Sequence, residues 1–232
     1  MNKLQLVFGL GLVSIVNVAL ASDILPGVSH SGSATASATS ALWRYVSYGS
    51  PRTGIHYHWS PFRMQNIFTT LTDGLGTSTG SQVAAGTYFA PTYSGTGSTS
   101  NTFSNSPTLA NYSVNLLAAV SFTSPLVAHQ GADVSASATD ALAFTLDKDT
   151  DISLMVSGGS QGSVQLISLS SNEAIFSGGN GQSFHDILAP GDYELVGSVA
   201  DSASRDMQTG AFLNLGKTSY SLSYHLTAHA PN

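Results

Sequence analysis

Three groups of residues in this sequence have types and spacings that could do chemistry. His56-Tyr57-His58 lies in a stretch that reads as a β-strand, where residues two apart project from one face. Two imidazoles so placed are half of a metal site, to be completed from a neighbouring strand. His185-Asp186 could supply the third ligand, although it belongs to the other half of the chain. Two solvent-exposed histidines are the plainer explanation. Asp147, Asp149 and Asp151 form the second group, three carboxylates on alternate residues whose mutual repulsion an oxygen-seeking Ca²⁺ would relieve. The run lacks the glycine and distal glutamate of an EF-hand loop, so an ordinary solvated turn stands beside structural calcium as the reading.

The third group is aromatic and basic. Trp43, Tyr45 and Tyr48 cluster with Arg44, Arg52, His56 and His58. Sugar-binding sandwiches present ring faces to pyranose C–H groups with polar side chains alongside, so this patch is a candidate glycan or surface site. The alternative is a more aromatic core in this part of the chain, because a one-residue slip in a strand exchanges inside for outside. Gly158-Gly-Ser160-Gln-Gly162 matches a nucleophile elbow in letters, but that mechanism needs a strand, a strained turn and then a helix. Here a strand pattern begins at Val164. Gly74-Leu-Gly76 and Gly95-Thr-Gly97 likewise precede no helical stretch that could hold a phosphate. No reaction centre is expected.

The elements that must position these residues repeat with a period of two. Phe144 and Leu146, then Ile152, Leu154 and Val156, then Val164 and Leu166, and later the run from Leu195 to Val199, alternate with small or polar residues. Gly/Ser runs over residues 157–163 and 177–183 separate them as turns. Charged residues are only 9% of the chain and 42% are hydrophobic, too apolar for disorder and too poor in Leu, Glu and Lys for a helical protein. The expected fold class is therefore all-β, two antiparallel β-sandwich domains of jelly-roll type in tandem. A net charge of -6 with no basic run argues against nucleic acid as a partner.

An internal repeat sets the proposed boundaries. His30-Ser-Gly followed by Ala36-Ser-Ala-Thr-Ser-Ala-Leu42 returns as His129-Gln-Gly followed by Ala136-Ser-Ala-Thr-Asp-Ala-Leu142. Val83-Ala-Ala-Gly-Thr-Tyr88 returns as Leu188-Ala-Pro-Gly-Asp-Tyr193, and Tyr112-Ser-Val-Asn-Leu116 as Tyr220-Ser-Leu-Ser-Tyr224. The units run over residues 22–120 and 121–232, and Ile55, Tyr57 and Trp59 then take the places of Ile152, Leu154 and Val156, facing the core. Their charges differ. The first unit has Arg44, Arg52 and Arg63 against Asp23 and Asp73, hence +1, and the second has three cations against eleven acids, hence -8.

Phe144-Thr-Leu, Asp151-Ile-Ser-Leu, Val164-Gln-Leu-Ile, Leu188-Ala-Pro-Gly-Asp-Tyr-Glu-Leu and Tyr220-Ser-Leu-Ser-Tyr together resemble the bacterial pre-peptidase C-terminal domain and related exoprotein β-sandwiches. The likeness covers most of residues 129–228, and the first unit is a divergent copy. It implies a noncatalytic accessory module tied to surface or substrate binding, although no peptidase domain accompanies it here.

Residues 1–21 read as a signal peptide, with Lys3 before an apolar run and Ala19-Leu20-Ala21 before the cleavage point. No later stretch is apolar enough to span a bilayer, and the absence of cysteine leaves neither a lipoprotein anchor nor disulfides. The expected protein is thus an exported binding or adhesion module, periplasmic, surface-bound or secreted, acting on a polysaccharide or cell-surface polymer. A structural subunit is the alternative, self-associating through the flat Ala/Ser strand at residues 33–39; a metal-dependent or serine hydrolase is a distant third. Export is checked by N-terminal sequencing of the extracytoplasmic protein, which should begin at Ser22; a chain retaining Met1 would contradict cleavage.

Overall fold

The computed structural model describes residues 23–50, 52–73, 78–87, 92–122, 130–159, 161–205, 212–213 and 217–230, with side chains described for part of these. Their regular structure is all strand: β1 (Ser29–Ser50), β2 (Gly54–Asp73), β3 (Ser78–Thr87), β4 (Thr92–Asn105), β5 (Leu109–Phe122), β6 (Gln130–Leu146), β7 (Thr150–Gly158), β8 (Gly162–Ser168), β9 (Glu173–Gly178), β10 (Ser183–Leu188), β11 (Gly191–Arg205), β12 (Phe212–Leu213) and β13 (Lys217–His229). Sheet A runs in the order β2-β1-β6-β11-β8-β9, with β12 beside the end of β11, and sheet B runs β10-β7-β13-β5-β4-β3. All pairs are antiparallel. Among the described residues no helix is long and apolar enough to cross a membrane.

The two-residue period becomes the core. On β6 the even positions Val134, Ala136, Ala138, Leu142, Phe144 and Leu146 are buried, and Ile152, Leu154 and Val156 of β7 meet them from the second half with Val164, Leu166, Leu195 and Val199. Tyr112, Val114, Leu116, Leu222, Tyr224 and Leu226 line sheet B from β5 and β13. Burial of such side chains, each contributing about 1.5–3 kcal/mol for the larger ones, holds the two sheets face to face.

The two halves differ from the tandem arrangement expected from the repeat. Instead of forming two sandwiches on a linker, they share both sheets. In sheet A, β1 pairs with β6 so that Ala36 lies opposite Ala136, its counterpart in the repeat. In sheet B, β5 pairs with β13 so that Asn115 lies opposite Ser223, again its counterpart. The first and third repeat landmarks therefore meet each other about a local two-fold relation at the seam. The second landmark does not follow it. Ala85 and Gly86 end β3 against β4 in sheet B, whereas Leu188 ends β10 and Gly191 opens β11 against β6 in sheet A. Connectivity differs as well, since the first half lays β1 and β2 side by side in sheet A while β6 is followed by β7 in sheet B.

Correspondingly, β2 is not the equivalent of β7, and Ile55 is 54% exposed where the repeat alignment expected core. The side chains of Tyr57 and Trp59 lie outside the described ones. The flat strand at residues 33–39, through which the alternative of a structural subunit would self-associate, is internal, paired to β2 on one side and β6 on the other.

Small residues at the seam bring the sheets very close. A methyl on Gly97 of β4 would sit 2.4 Å from the Ser137 carbonyl oxygen and 2.8 Å from that of Thr35, both main-chain atoms of sheet A. On the facing side, a methyl on Gly197 would lie 2.2 Å from a ring carbon of Tyr224. Neither neighbour is a flexible chain end. Gly97→Ala should therefore cost at least about 1–3 kcal/mol in urea unfolding, while Ser98→Ala, on the outer face, should stay within about 0.5 kcal/mol.

Candidate functional site

The aromatic and basic residues singled out in the sequence fall on one hairpin. Beyond Leu42 the pairing of β1 with β6 ends, so residues 43–50 hydrogen-bond, among the described residues, to β2 alone. The register shifts between Leu42 and Trp43, where β2 carries one residue more than β1, and the arm begins there. Tyr45 pairs with Trp59, and Tyr48 with His56. Arg52, Ile55 and His56 are exposed at the tip. The side chains of Trp43, Arg44, Tyr45, Tyr48 and His58 lie outside the described ones.

The structure removes one proposed partner from the His56-His58 pair. The hairpin belongs to the β2 edge of sheet A, which faces β3, whereas His185 is on β10 at the opposite edge of sheet B. No ligand set can span that separation. Ser160 lies outside the described residues, but β8 starts at Gly162, so a strand and not a helix follows the elbow-like sequence.

The acidic run divides. Asp147 and Asp149 are exposed in the turn before β7, while Asp151 sits on the outer face of sheet B with its carboxylate toward His185 and His229. The same face carries two serine–histidine pairs, Ser113 with Nδ1 of His225 at 2.6 Å and Ser153 with Nδ1 of His185 at 2.7 Å. A serine–histidine–carboxylate relay needs serine and acid on opposite ring nitrogens. At His185 both Ser153 and Asp151 approach Nδ1, so this set does not form the relay.

A cluster that sequence reasoning missed lies in the interior of the seam. Asp140 of β6, fully buried, pairs with Nε2 of His30 on β1 at 2.7 Å. Its other oxygen accepts hydrogen bonds from the hydroxyls of Tyr112 on β5 at 2.5 Å and Tyr224 on β13 at 2.8 Å. Nδ2 of Asn101 on β4 is 3.4 Å from the His30 ring nitrogen. Four strands, from both halves and both sheets, thus converge on one carboxylate, and a fifth reaches it through His30. The backbone readily provides for this, because Gly32 is the residue opposite Asp140 on β1. The signal was present in the sequence: Asp140 shares the even parity of Ala136, Ala138 and Leu142, and it replaces Ser40 of the first copy. Burial, and then the negative charge of Asp140, push both tyrosine hydroxyls well above their ordinary 10.0, so they remain donors. With the His30 and Asp140 side chains both shut off from solvent, the cluster is a clasp between strands.

The turn that gave the family resemblance has its own physical account. Tyr193 donates its hydroxyl back to the Ala189 carbonyl at 2.9 Å and stacks on Phe144 with ring centroids 5.9 Å apart, closing the Ala-Pro-Gly-Asp-Tyr turn onto the core. The chain matches no family model, and no curated protein matches it.

Because the folded-state pKa of Tyr112 and Tyr224 lies above the unfolded value, their contribution to stability is complete below pH 10 and is lost as pH rises beyond it. Urea midpoints should accordingly fall above about pH 10. Tyr112→Phe should lower stability at pH 7 by about 1.5–3 kcal/mol, and its further loss above pH 10 should be smaller than that of the parent. An equal alkaline loss in both proteins would remove Tyr112 from this role.

Proposed function

We propose that this chain is an exported, noncatalytic binding module that attaches to a glycan or matrix polymer through the hairpin arm formed by residues 43–61. The carrying observation is topological. Trp43, Arg44, Tyr45 and Tyr48 stand on one strand of an arm that extends past β6, with Arg52 and His56 exposed at its turn. Rings on a two-stranded projection can be offered to a ligand without opening the sandwich core, and aromatic faces beside guanidinium groups suit pyranose rings and their hydroxyls. The arm is anchored where β1 enters the seam, so a load on it is passed directly to a hydrogen-bonded, internal strand.

The reading carries with it the signal peptide at residues 1–21, an origin by duplication, and the likeness of the second half to pre-peptidase C-terminal domains. Self-association is the second reading. It is favoured by β2, 20 residues long and bonded, among the described residues, to β1 alone, which leaves an edge that another strand could extend.

The mature chain should bind on a glycan and matrix-polymer array, sediment as a monomer, and lose about tenfold or more in affinity when Trp43 and Tyr45 are both alanine. The urea midpoint of the variant controls for folding. Unchanged array binding by a folded variant would overturn the arm as the site, and sedimentation as large species dissolved by proline substitutions in β2 would favour self-association instead.

A further inference from the structure

A cavity of about 480 Å³ opens where β11 loses a neighbour in sheet A. The pairing of β8 with β11 stops at Gly162 opposite Val199, and β12 joins β11 only at Ser204. Along residues 200–203, therefore, β11 has β6 on one side and, among the described residues, no strand on the other. The cavity lies at this stretch. Its described lining includes Ser135 and Ser137 of β6, Asp201 and Ser202 of β11, Gln161 from the turn before β8 and Tyr220 of β13. The volume falls within the range of about 300–1,000 Å³ found for small-molecule sites.

The lining is graded. Ser135, Ser202 and Gln161 are exposed at the mouth, Tyr220 is half-buried, and Asp201 is only 6% exposed. Asp201 shares the inward parity of Val199 and Ala203 on sheet A, and Thr218 and Tyr220 share that of Leu222 and Tyr224 on sheet B. The Thr218 hydroxyl donates to Oδ2 of Asp201 at 2.8 Å. That is one hydrogen bond for a group able to accept about four. Oδ1 accepts none among the described residues. A carboxylate buried in this state calls for donors, and the cavity that it lines is the route by which they arrive.

The other lining groups decide what kind of donor fits. An ammonium group only donates, and it would leave the amide protons of Gln161 and the hydroxyl protons of Ser135 and Ser202 without an acceptor. An anionic ligand would be repelled by the carboxylate itself. A sugar hydroxyl both donates and accepts, so it serves Asp201 and its neighbours together. Tyr220 adds ring surface of the kind on which pyranose C–H groups pack. We propose that this cavity binds one neutral sugar residue, whose adjacent ring hydroxyls donate to Asp201 and accept from Gln161 and the serines.

The site shares no residue with the hairpin arm. It rests on the glycan reading for the polymer it serves, and on its own lining for the sugar. Ser135 lies opposite Ser37 of β1, five residues before Leu42, beyond which the arm begins, or about 17 Å along the strand. One extended glycan can engage both, and two weak contacts on a single polymer multiply in avidity.

The test uses the mature full chain, isotope-labelled and titrated by NMR with the methyl glycosides of glucose, galactose, mannose, N-acetylglucosamine, fucose and xylose, and separately with methylammonium. At least one glycoside should bind with a Kd on the order of 1 mM, as suits a ligand of that size, and the amide shifts should centre on Gln161 and Ser202. Asp201→Asn keeps an acceptor for Thr218 and puts a donor in place of the free oxygen, so affinity should fall about tenfold or more. Gln161→Ala, at the exposed mouth, should weaken binding about two- to tenfold. Urea midpoints check the fold of each variant. The Trp43→Ala, Tyr45→Ala double variant should titrate as the parent does, so that failure of the arm and failure of the cavity are told apart. Absence of binding by every glycoside, affinity unchanged by Asp201→Asn (or by Gln161→Ala where the first variant fails to fold), or saturation by methylammonium in place of a sugar overturns the site.

Discussion

One buried carboxylate fixes how this molecule is assembled. The seam between the halves is built from strands that, by themselves, specify their register poorly. Residues 33–39 of β1 and 134–139 of β6 alternate alanine or valine with serine, threonine or each other's equivalents, so a slip by two residues would keep every small side chain on its proper face. Asp140 makes that slip expensive. Moved by two residues, about 6.8 Å along the strand, its charge would leave His30, Tyr112 and Tyr224 and remain inside the protein without partners. Leaving a buried charge with no partner costs about 3–5 kcal/mol. The clasp is therefore best understood as a register lock. Its net contribution to stability is a separate and smaller matter, because bringing the charge out of water offsets much of the attraction within it.

The same constraint explains the composition around it. A carboxylate in sheet A reaches hydroxyls of sheet B only where the sheets are close, and alanine and glycine provide that closeness. Ala34, Ala36 and Ala38 face inward from β1, with Ala136 and Ala138 beside them on β6, and Gly95 and Gly97 lie over the Ser135 and Ser137 main chain. On the solvent side of the same strands, hydroxyls pair across the seam: Ser33 with Thr139 at 2.7 Å, Thr35 with Ser137 at 2.5 Å and Ser37 with Ser135 at 2.7 Å. Small residues inside and a hydroxyl ladder outside thus belong to one device. The low charge content of the chain follows from it, since the outer faces use hydroxyls and amides where many surfaces use lysine and glutamate.

Much of this is legible in the sequence. The period of two gave the strands of the second half and their inward residues, because Ile152, Leu154 and Val156 alternate with polar neighbours and the Gly/Ser runs between strands are unambiguous. The repeat was legible too, but its geometric meaning was not. Sequence similarity between two strands reports a shared ancestry or environment, and it cannot say whether the copies stand in separate sandwiches or meet each other in one. Here Ala36 meets Ala136 and Asn115 meets Ser223, pairings that no local pattern encodes. The Ala-Gly-x-Tyr similarity is misleading for a related reason: Ala85 and Gly86 lie within the paired end of β3 in one sheet, whereas Gly191 opens β11 in the other, so like residues serve different pairings. Asp140 was missed although its parity pointed inward. Acids in a serine-rich strand are ordinarily solvated, and only the two tyrosines, 28 and 84 residues away, make this one an interior residue.

The division of labour between seam and periphery follows from where the lock acts. Asp140 holds β1, β6, β5 and β13, and these central strands are the ones in which the two halves correspond. Outside them the halves diverge: the first adds the long β2 and the arm beyond the Leu42 bulge, and the second adds β7, β8, β9 and β10. Once register is secured at the centre, strands toward the edges can change connectivity, length and side chains without putting the core pairing at risk. The residues of the arm and the imidazoles beside Asp151 accordingly lie away from the lock, on strands at the edges of the two sheets.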